Sequence, residues 1–278
     1  MEYLEIKAPA KINIGLNVVS KRDDGYHNIE SVFYPLEGLF DKLYFRKSEE
    51  FFFTSNDSDL NSRDNLIIKS KNLLENYTGR KFGVSIELEK YIPIGAGLGG
   101  GSSDAATTLV SLNEMFELNL TTDTLQDMAL SIGSDVPFFI RSKPAFASGR
   151  GELLTPIDIS IRGHILIVNA GIHISTKDAY QNITPKPAEF DLRKFGLINY
   201  NDNVHLKQLI TNDFESYAFG TYPVLAQIKT SLYNHGARFA LMTGSGSSIF
   251  GIFDEYNDAL SARDSFPSDY FSYISSEV

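Results

Sequence analysis

Cysteine is absent from the 278-residue chain, and that removes disulfides, thiolate nucleophiles and zinc–cysteine sites from consideration. Histidine is scarce. His27, His164, His173, His205 and His235 show neither HxxxH nor HExxH spacing, which argues against a zinc hydrolase. Positive charge is in deficit: 25 Lys+Arg face 35 Asp+Glu, for a net charge of -10 and a pI near 5.0. A field of that sign disfavours non-specific nucleic-acid binding, and it requires any phosphate site to be locally positive. No stretch approaches the roughly 20 apolar residues of a membrane span. The first residues, MEYLEIKAPAKINIGL, carry acids at Glu2 and Glu5 and no apolar run. They read as neither a secretory signal nor a transit peptide, so the expectation is a cytoplasmic protein with no membrane partner. Fixed-period repeats, heptads and low-complexity tracts are also missing.

What is present is core material, at 42% hydrophobic and 12% aromatic residues, enough for one large or two small domains. Ile12, Ile14, Leu16 and Val18 alternate with Lys11, Asn13, Gly15 and Asn17, which is strand period. On that pattern Lys11 and Asn13 project from the same, non-core face. Asp23-Asp24-Gly25 is a turn signal that places Tyr26 and His27 just after a turn. Phe82, Val84, Ile86 and Leu88 predict a second strand. Helical spacing predicts helices over Asn65–Tyr77, Ser103–Phe116 and Thr122–Ile132, with Ser134 capping a further short helix that holds Asp135 and Pro137 near its start. Beyond these, HILIVN (His164–Asn169) reads as a strand, and Ser175 with Asp178 as a capping-box start for a helix containing Tyr180. Helices are expected over Asn203–Ile210 and Pro223–Asn234. Strands are expected over Arg238–Met242 and Ser248–Phe253, flanking the loop TGSGS. The division between halves falls near Thr155-Pro156.

The chemistry concentrates in PIGAGLGGGSSDAATTLVSLN, residues 93–113, where five glycines fall within seven residues and two serines follow. Glycine lets backbone amides turn toward a ligand without a Cβ clash. A helix start adds unpaired donors and about half a positive charge. A strand-to-helix connection would need only two or three glycines, so phosphate binding is the stronger reading. Gly95, Gly97 and Gly100 match GxGxxG formally, yet a dinucleotide fold puts that motif at its first strand with an acid about 20 residues on. No Gly-Lys-Ser/Thr, HRD or DFG occurs, which sets aside Walker-A proteins and protein kinases.

The loop resembles the second motif of the GHMP kinases (galacto-, homoserine, mevalonate and phosphomevalonate kinases). APAKINIGLNV, DDGYHNIESVF, GLGGGSSDAATTLVSLN, GSDVPFF and TGSGSSIFG occur in that order over nearly the whole chain. Together they are similar to one branch, whose members phosphorylate a methylerythritol carrying a cytidine diphosphate tail in non-mevalonate isoprenoid precursor synthesis. The resemblance implies an α+β, two-domain fold with the active site in the cleft between domains. The domains would be residues 1–155 and a ferredoxin-like 156–278. It implies ATP as phosphoryl donor with magnesium, whose ligands stay unknown, and no obligate protein partner.

Residue by residue, the resemblance maps a catalytic pair onto Lys11 and Asp135, Asp135 orienting the hydroxyl and accepting its proton late while Lys11 screens developing charge. On residues alone Lys11 reads as a solvated strand lysine and Asp135 equally as a capping acid. The resemblance assigns Pro93, Ile94, Gly95, Ala96, Gly97, Leu98, Gly99, Gly100, Gly101, Ser102 and Ser103 to ATP, with Asn65 on the adenine side. It assigns Tyr26 and Tyr180 to sandwich cytosine, His27 to read its edge and Asn13 to bond the sugar alcohol. Thr176 and Lys177 would meet the diphosphate, and Gly244, Gly246 and Ser247 would close over the substrate. The family often has asparagine where this chain has Asp104, an acid expected to point away from ATP or toward magnesium. Another GHMP kinase, a nicotinamide enzyme and a non-catalytic binding module remain open on sequence.

Overall fold

The computed structural model describes residues 2–197 and 206–275. In chain order the strands and α-helices are β1 (Tyr3–Lys21), β2 (His27–Lys47), β3 (Phe52–Ser55), α1 (Leu66–Thr78), β4 (Val84–Glu89), α2 (Gly100–Met115), α3 (Thr122–Ile132) and α4 (Val136–Arg141). There follow β5 (Ala145–Ser148), β6 (Leu153–Pro156), β7 (His164–Asn169), α5 (Thr176–Gln181), α6 (Leu206–Leu209), α7 (Glu215–Thr221) and α8 (Pro223–Asn234). The chain closes with β8 (Phe239–Met242), β9 (Ile249–Phe253), α9 (Tyr256–Asp264) and β10 (Phe271–Ile274). Residues 203–205 of the helix expected over Asn203–Ile210 lie outside the described residues.

The elements form two compact units that interleave along the sequence. The first takes residues 1–10, 39–94 and 99–143. In it β4 pairs antiparallel with the far end of β2, Leu43 opposite Leu88 and Phe45 opposite Ile86, and β3 pairs parallel to β4. Val84, Ile86 and Leu88 are buried, as their alternation predicts. Helix α1 starts where Asn65 accepts the Ile67 amide at 2.8 Å and stops where Gly79 takes φ 67°, a left-handed cap open to glycine. Its neighbour α2 begins at Gly100, earlier than the expected Ser103, because Gly99 at φ 73° turns the chain into the helix. The cap position of α4 is occupied by Asp135 and not, as expected, by Ser134.

The second unit takes residues 11–38, 95–98 and 144–278. Its antiparallel sheet runs β10-β7-β9-β8, the order of a split β-α-β-β-α-β unit. Every residue of β7 is buried, which suits an inner strand covered on both sides. Leu166, Val168, Ile228, Leu232, Ile249 and Phe253 belong to the core there. The non-core face expected for β1 is corrected: Lys11 and Asn13 are 2% and 1% exposed. Both faces of β1 are covered here, and burying an ammonium costs several kcal/mol unless partners compensate it.

Candidate active site

Those partners are specific. Lys11 Nζ donates to Asn13 Oδ1 and lies 4.5 Å from the centre of the Phe33 ring. Two residues apart on a strand, Lys11 and Asn13 share a face, so the contact is built into the pleat. Asn13 Nδ2 donates to Ser31 Oγ at 2.9 Å, and that hydroxyl donates to the Gly15 carbonyl at 2.6 Å. The amide plane of Asn13 is thereby fixed with its oxygen toward the ammonium. Asn13 is a positioning residue for Lys11 as well as the predicted sugar-alcohol contact.

The central part of the glycine loop is tied to the same strand. Lys11 N donates to the Leu98 carbonyl at 2.9 Å. Thr243 Oγ1 accepts the Asn13 amide at 2.9 Å and donates to the Gly97 carbonyl at 3.1 Å. Ser248 N donates to the Ala96 carbonyl at 3.1 Å, so residues 96–98 are held between β1 and the TGSGS loop by backbone contact. Glycine is required there for space. Gly97 has φ 77°, and a methyl group on it would run into the Thr243 carbonyl oxygen. Gly97→Ala is expected to lower the unfolding free energy by roughly 1–3 kcal/mol in urea denaturation, from left-handed strain alone. An unchanged midpoint would contradict this packing.

Of the residues expected to meet substrate, His27 and Tyr180 stack with ring centres 5.0 Å apart and planes 17° apart, and Phe214 meets Tyr180 edge-on at 4.8 Å. Burial, aided by Lys21, lowers the His27 pKa, which favours the neutral imidazole that can both donate and accept. Tyr26 is 54% exposed, with the Arg150 guanidinium 4.7 Å from its ring centre. Sequence reasoning did not single out Arg150, since nothing in its own neighbourhood marks it. Thr176 and Lys177 are exposed at the start of α5, whose Ser175 cap accepts the Asp178 amide at 3.3 Å as the capping pattern predicts. Thr176 Oγ1 lies 3.0 Å from Ser245 Oγ. Gly244 and Gly246 are buried with φ 59° and 98°. The Ser247 hydroxyl is engaged within the fold, receiving Asn169 Nδ2 at 3.0 Å and donating to the Ile172 carbonyl.

In the first unit lie Pro93, Ile94, the helix start from Gly99 to Ser103, Asn65 and Asp135. No side chain caps α2, which leaves its first amides to a ligand. Ser103 Oγ is buried without a hydrogen-bond partner among the described residues. Asn65 spends its side chain capping α1 and bonding the Leu60 carbonyl at 2.9 Å. Asp135, half-buried, stands at the cap position of α4 without its carboxylate making a capping bond, which counts against the capping-acid reading.

Asp104 turns inward. Its Oδ2 takes Lys90 Nζ at 2.8 Å, and the same ammonium holds Asp41. The contact with Lys90 favours the first of the two orientations expected for Asp104 over the metal-facing one. Burial and the nearby Asp41 push the Asp104 carboxyl up to about 7 against the opposing pull of Lys90. Burial works against the Lys90 ammonium, yet Asp104 and Asp41 raise its pKa. Folded Asp104 therefore keeps a proton that the unfolded carboxyl releases near 3.8, and stability falls as pH rises from about 4 to 7. Asp104→Asn should remove that slope, with a gain in Tm larger at pH 8 than at pH 5 by scanning calorimetry. Equal gains at both pH values would contradict the assignment.

Known proteins match the chain in sequence and fold. The GHMP kinase N-terminal domain matches residues 65–143 and the GHMP kinase C-terminal domain residues 191–272. A 4-diphosphocytidyl-2-C-methyl-D-erythritol kinase of Bacteroides thetaiotaomicron is 43% identical, over 88% of this chain and 90% of its own. The chain belongs to the GHMP kinase family, in the branch of those kinases. A Chlorobium phaeobacteroides enzyme of the same description is 40% identical to this kinase over 96% of each chain. A crystal structure of 4-(cytidine 5'-diphospho)-2C-methyl-D-erythritol kinase superposes on it with a TM-score of 0.86 at 31% identity, covering 98% of each chain. Among its described residues no group of three or more His, Cys, Asp or Glu could hold a metal ion, and no helix is long and apolar enough to cross a membrane.

Proposed function

We propose that this kinase transfers the γ-phosphoryl group of ATP to the 2-hydroxyl of 4-diphosphocytidyl-2-C-methyl-D-erythritol, giving the 2-phosphate and ADP. The observation that carries the proposal is the likeness to named kinases along nearly the full length of both chains. The site's chemistry supports it. Phosphoryl transfer depends on positioning and charge stabilisation rather than covalent help from the protein. The uncapped start of α2, with Ser102 and Ser103, offers donors to nucleotide phosphates, and the backbone of Pro93–Gly101 completes the ATP loop. The helix start that Asn65 caps serves the adenine side. Lys11, held by Asn13, supplies fixed positive charge to the transferring group. Asp135 orients the acceptor hydroxyl and takes its proton late. The His27–Tyr180 stack and the exposed Tyr26 ring offer aromatic faces to cytosine, and the imidazole its polar edge. Thr176 and Lys177 meet the diphosphate beside the Gly244–Ser247 turn.

Magnesium accompanies the nucleotide and neutralises charge on its phosphates. Such ions are held largely by phosphate and water with one or two carboxylates, which suits the lack of a three-ligand cluster among the described residues. Along the sequence we place the division between the two family domains near Thr155-Pro156, a reading compatible with N- and C-terminal matches at residues 65–143 and 191–272. The enzyme works in the cytoplasm on a small molecule, without an obligate protein partner. Specificity is tested by comparing kcat/KM for the cytidyl substrate, methylerythritol 4-phosphate, homoserine and mevalonate. The cytidyl substrate should lead by at least about a hundredfold, because unmatched polar groups in a built site reject analogues strongly. Equal use of the untailed alcohols would overturn the reading.

A further inference from the structure

Three buried charged groups of the first unit take no part in the chemistry above. Asp41, on β2, is fully buried, and its Oδ1 accepts the amides of Tyr91 at 2.6 Å and Ile92 at 2.8 Å. Lys90, the residue after β4, joins Asp41 to Asp104 on α2. The triad thus brackets the glycine loop: Pro93 leaves the segment that Asp41 holds, and Gly100 opens the helix that Asp104 anchors. It also lies against the helix start, since a methyl group on Gly100 would be 2.8 Å from Lys90 Nζ. Asp104 Oδ1 is buried without a hydrogen-bond partner among the described residues. With both acids ionised the triad carries one net negative charge. With one protonated it is neutral, and Oδ1 can be the protonated atom.

The helix start offers phosphate only about half a positive charge. A buried negative charge pressed against that turn opposes an incoming polyphosphate in a medium that screens poorly. The other helices packed on α2 carry Lys69, Lys71 and Glu75 on α1, Asp123 and Asp127 on α3, and Arg141 on α4 with Asp135 at its start; Lys71 pairs with Glu75 at 3.0 Å, Lys69 with Asp64 at 3.4 Å and Asp123 with Arg141 at 3.3 Å. Next to Asp104 itself on the α1 side is Ser70, whose hydroxyl donates to the Ala105 carbonyl at 3.0 Å.

We propose that Asp104 makes nucleotide affinity proton-linked: the Asp41–Lys90–Asp104 triad takes up a proton when phosphates bind at the start of α2, and Asp104 positions that turn through Lys90. The inference rests on the reading of the loop as the ATP site. Because burial already holds the carboxyl up to about 7, the coupling falls in the physiological range. Above that range, binding must supply the missing proton.

The test is isothermal titration calorimetry of Mg–ADP into the full chain between pH 6.5 and 8.5, in buffers of differing ionisation enthalpy. Expected at pH 8 are uptake approaching one proton per nucleotide and a Kd weakening toward tenfold per pH unit. Asp104→Asn, which keeps the shape and a Lys90 contact, should lose the uptake and bind about tenfold more tightly than the parent at pH 8. The difference between the two proteins separates Asp104 from protons on the nucleotide. Binding without proton uptake, or equal uptake in both, overturns the proton linkage alone. No Mg–ADP binding by the parent overturns the kinase reading with it. If Asp104→Asn does not fold, the parent's uptake across the pH series decides.

Discussion

Asp135→Asn is expected to lower kcat by about 10²- to 10⁴-fold, the usual weight of a positioned acid or base. Asparagine keeps the size of the side chain and the ability to cap α4, so the fold should stay intact. What it loses is a negative charge that orients a hydroxyl and receives its proton. The carboxylate makes no capping bond to α4, so no cap hydrogen bond is lost in the substitution. An ADP-release assay reads the loss, with Tm as the control for folding. The KM for the cytidyl substrate should change far less than kcat, because the interaction matters most in the transition state. Near-normal turnover would remove Asp135 from the mechanism.

Lys11→Met is the second large effect. The substitution keeps length and apolar volume while deleting the ammonium that lies beside Asn13 Oδ1 and over Phe33. A kcat lower by about 10²- to 10³-fold is expected, in the range measured when one fixed donor to developing charge is removed. ATP affinity should move only a few-fold, since loop residues 96–98 are tied to the Lys11 backbone and to Thr243 and Ser248. Stopped-flow or equilibrium nucleotide binding beside steady-state turnover separates the two quantities. Weakened binding with intact kcat would make Lys11 a ground-state phosphate contact.

Local pattern carried much of this. Alternation in β1 and β4, the apolar run of β7, the bounds of α3 and α8, and the Ser175 cap of α5 are properties of short windows, and they were legible. The glycine loop was legible as a phosphate site because five glycines exceed what a connection needs. Burial of Lys11 and Asn13 was not, because a period-2 pattern cannot tell a face turned to water from one covered by distant chain. Neither was the inward turn of Asp104: Lys90 lies 14 residues away and reaches Asp41 across 49, with no motif joining them. The His27–Tyr180 stack and Arg150 over Tyr26 are likewise products of tertiary packing.

The central claim is the transfer of phosphate to one hydroxyl of the cytidyl substrate. Phosphorus NMR of a reaction with Mg–ATP and 4-diphosphocytidyl-2-C-methyl-D-erythritol tests it most directly. A new monoester resonance coupled to no other phosphorus, stoichiometric with ADP and assigned to the 2-position by carbon–phosphorus coupling, is the expected result. ADP formation without that resonance, or a phosphate at another oxygen, would contradict it.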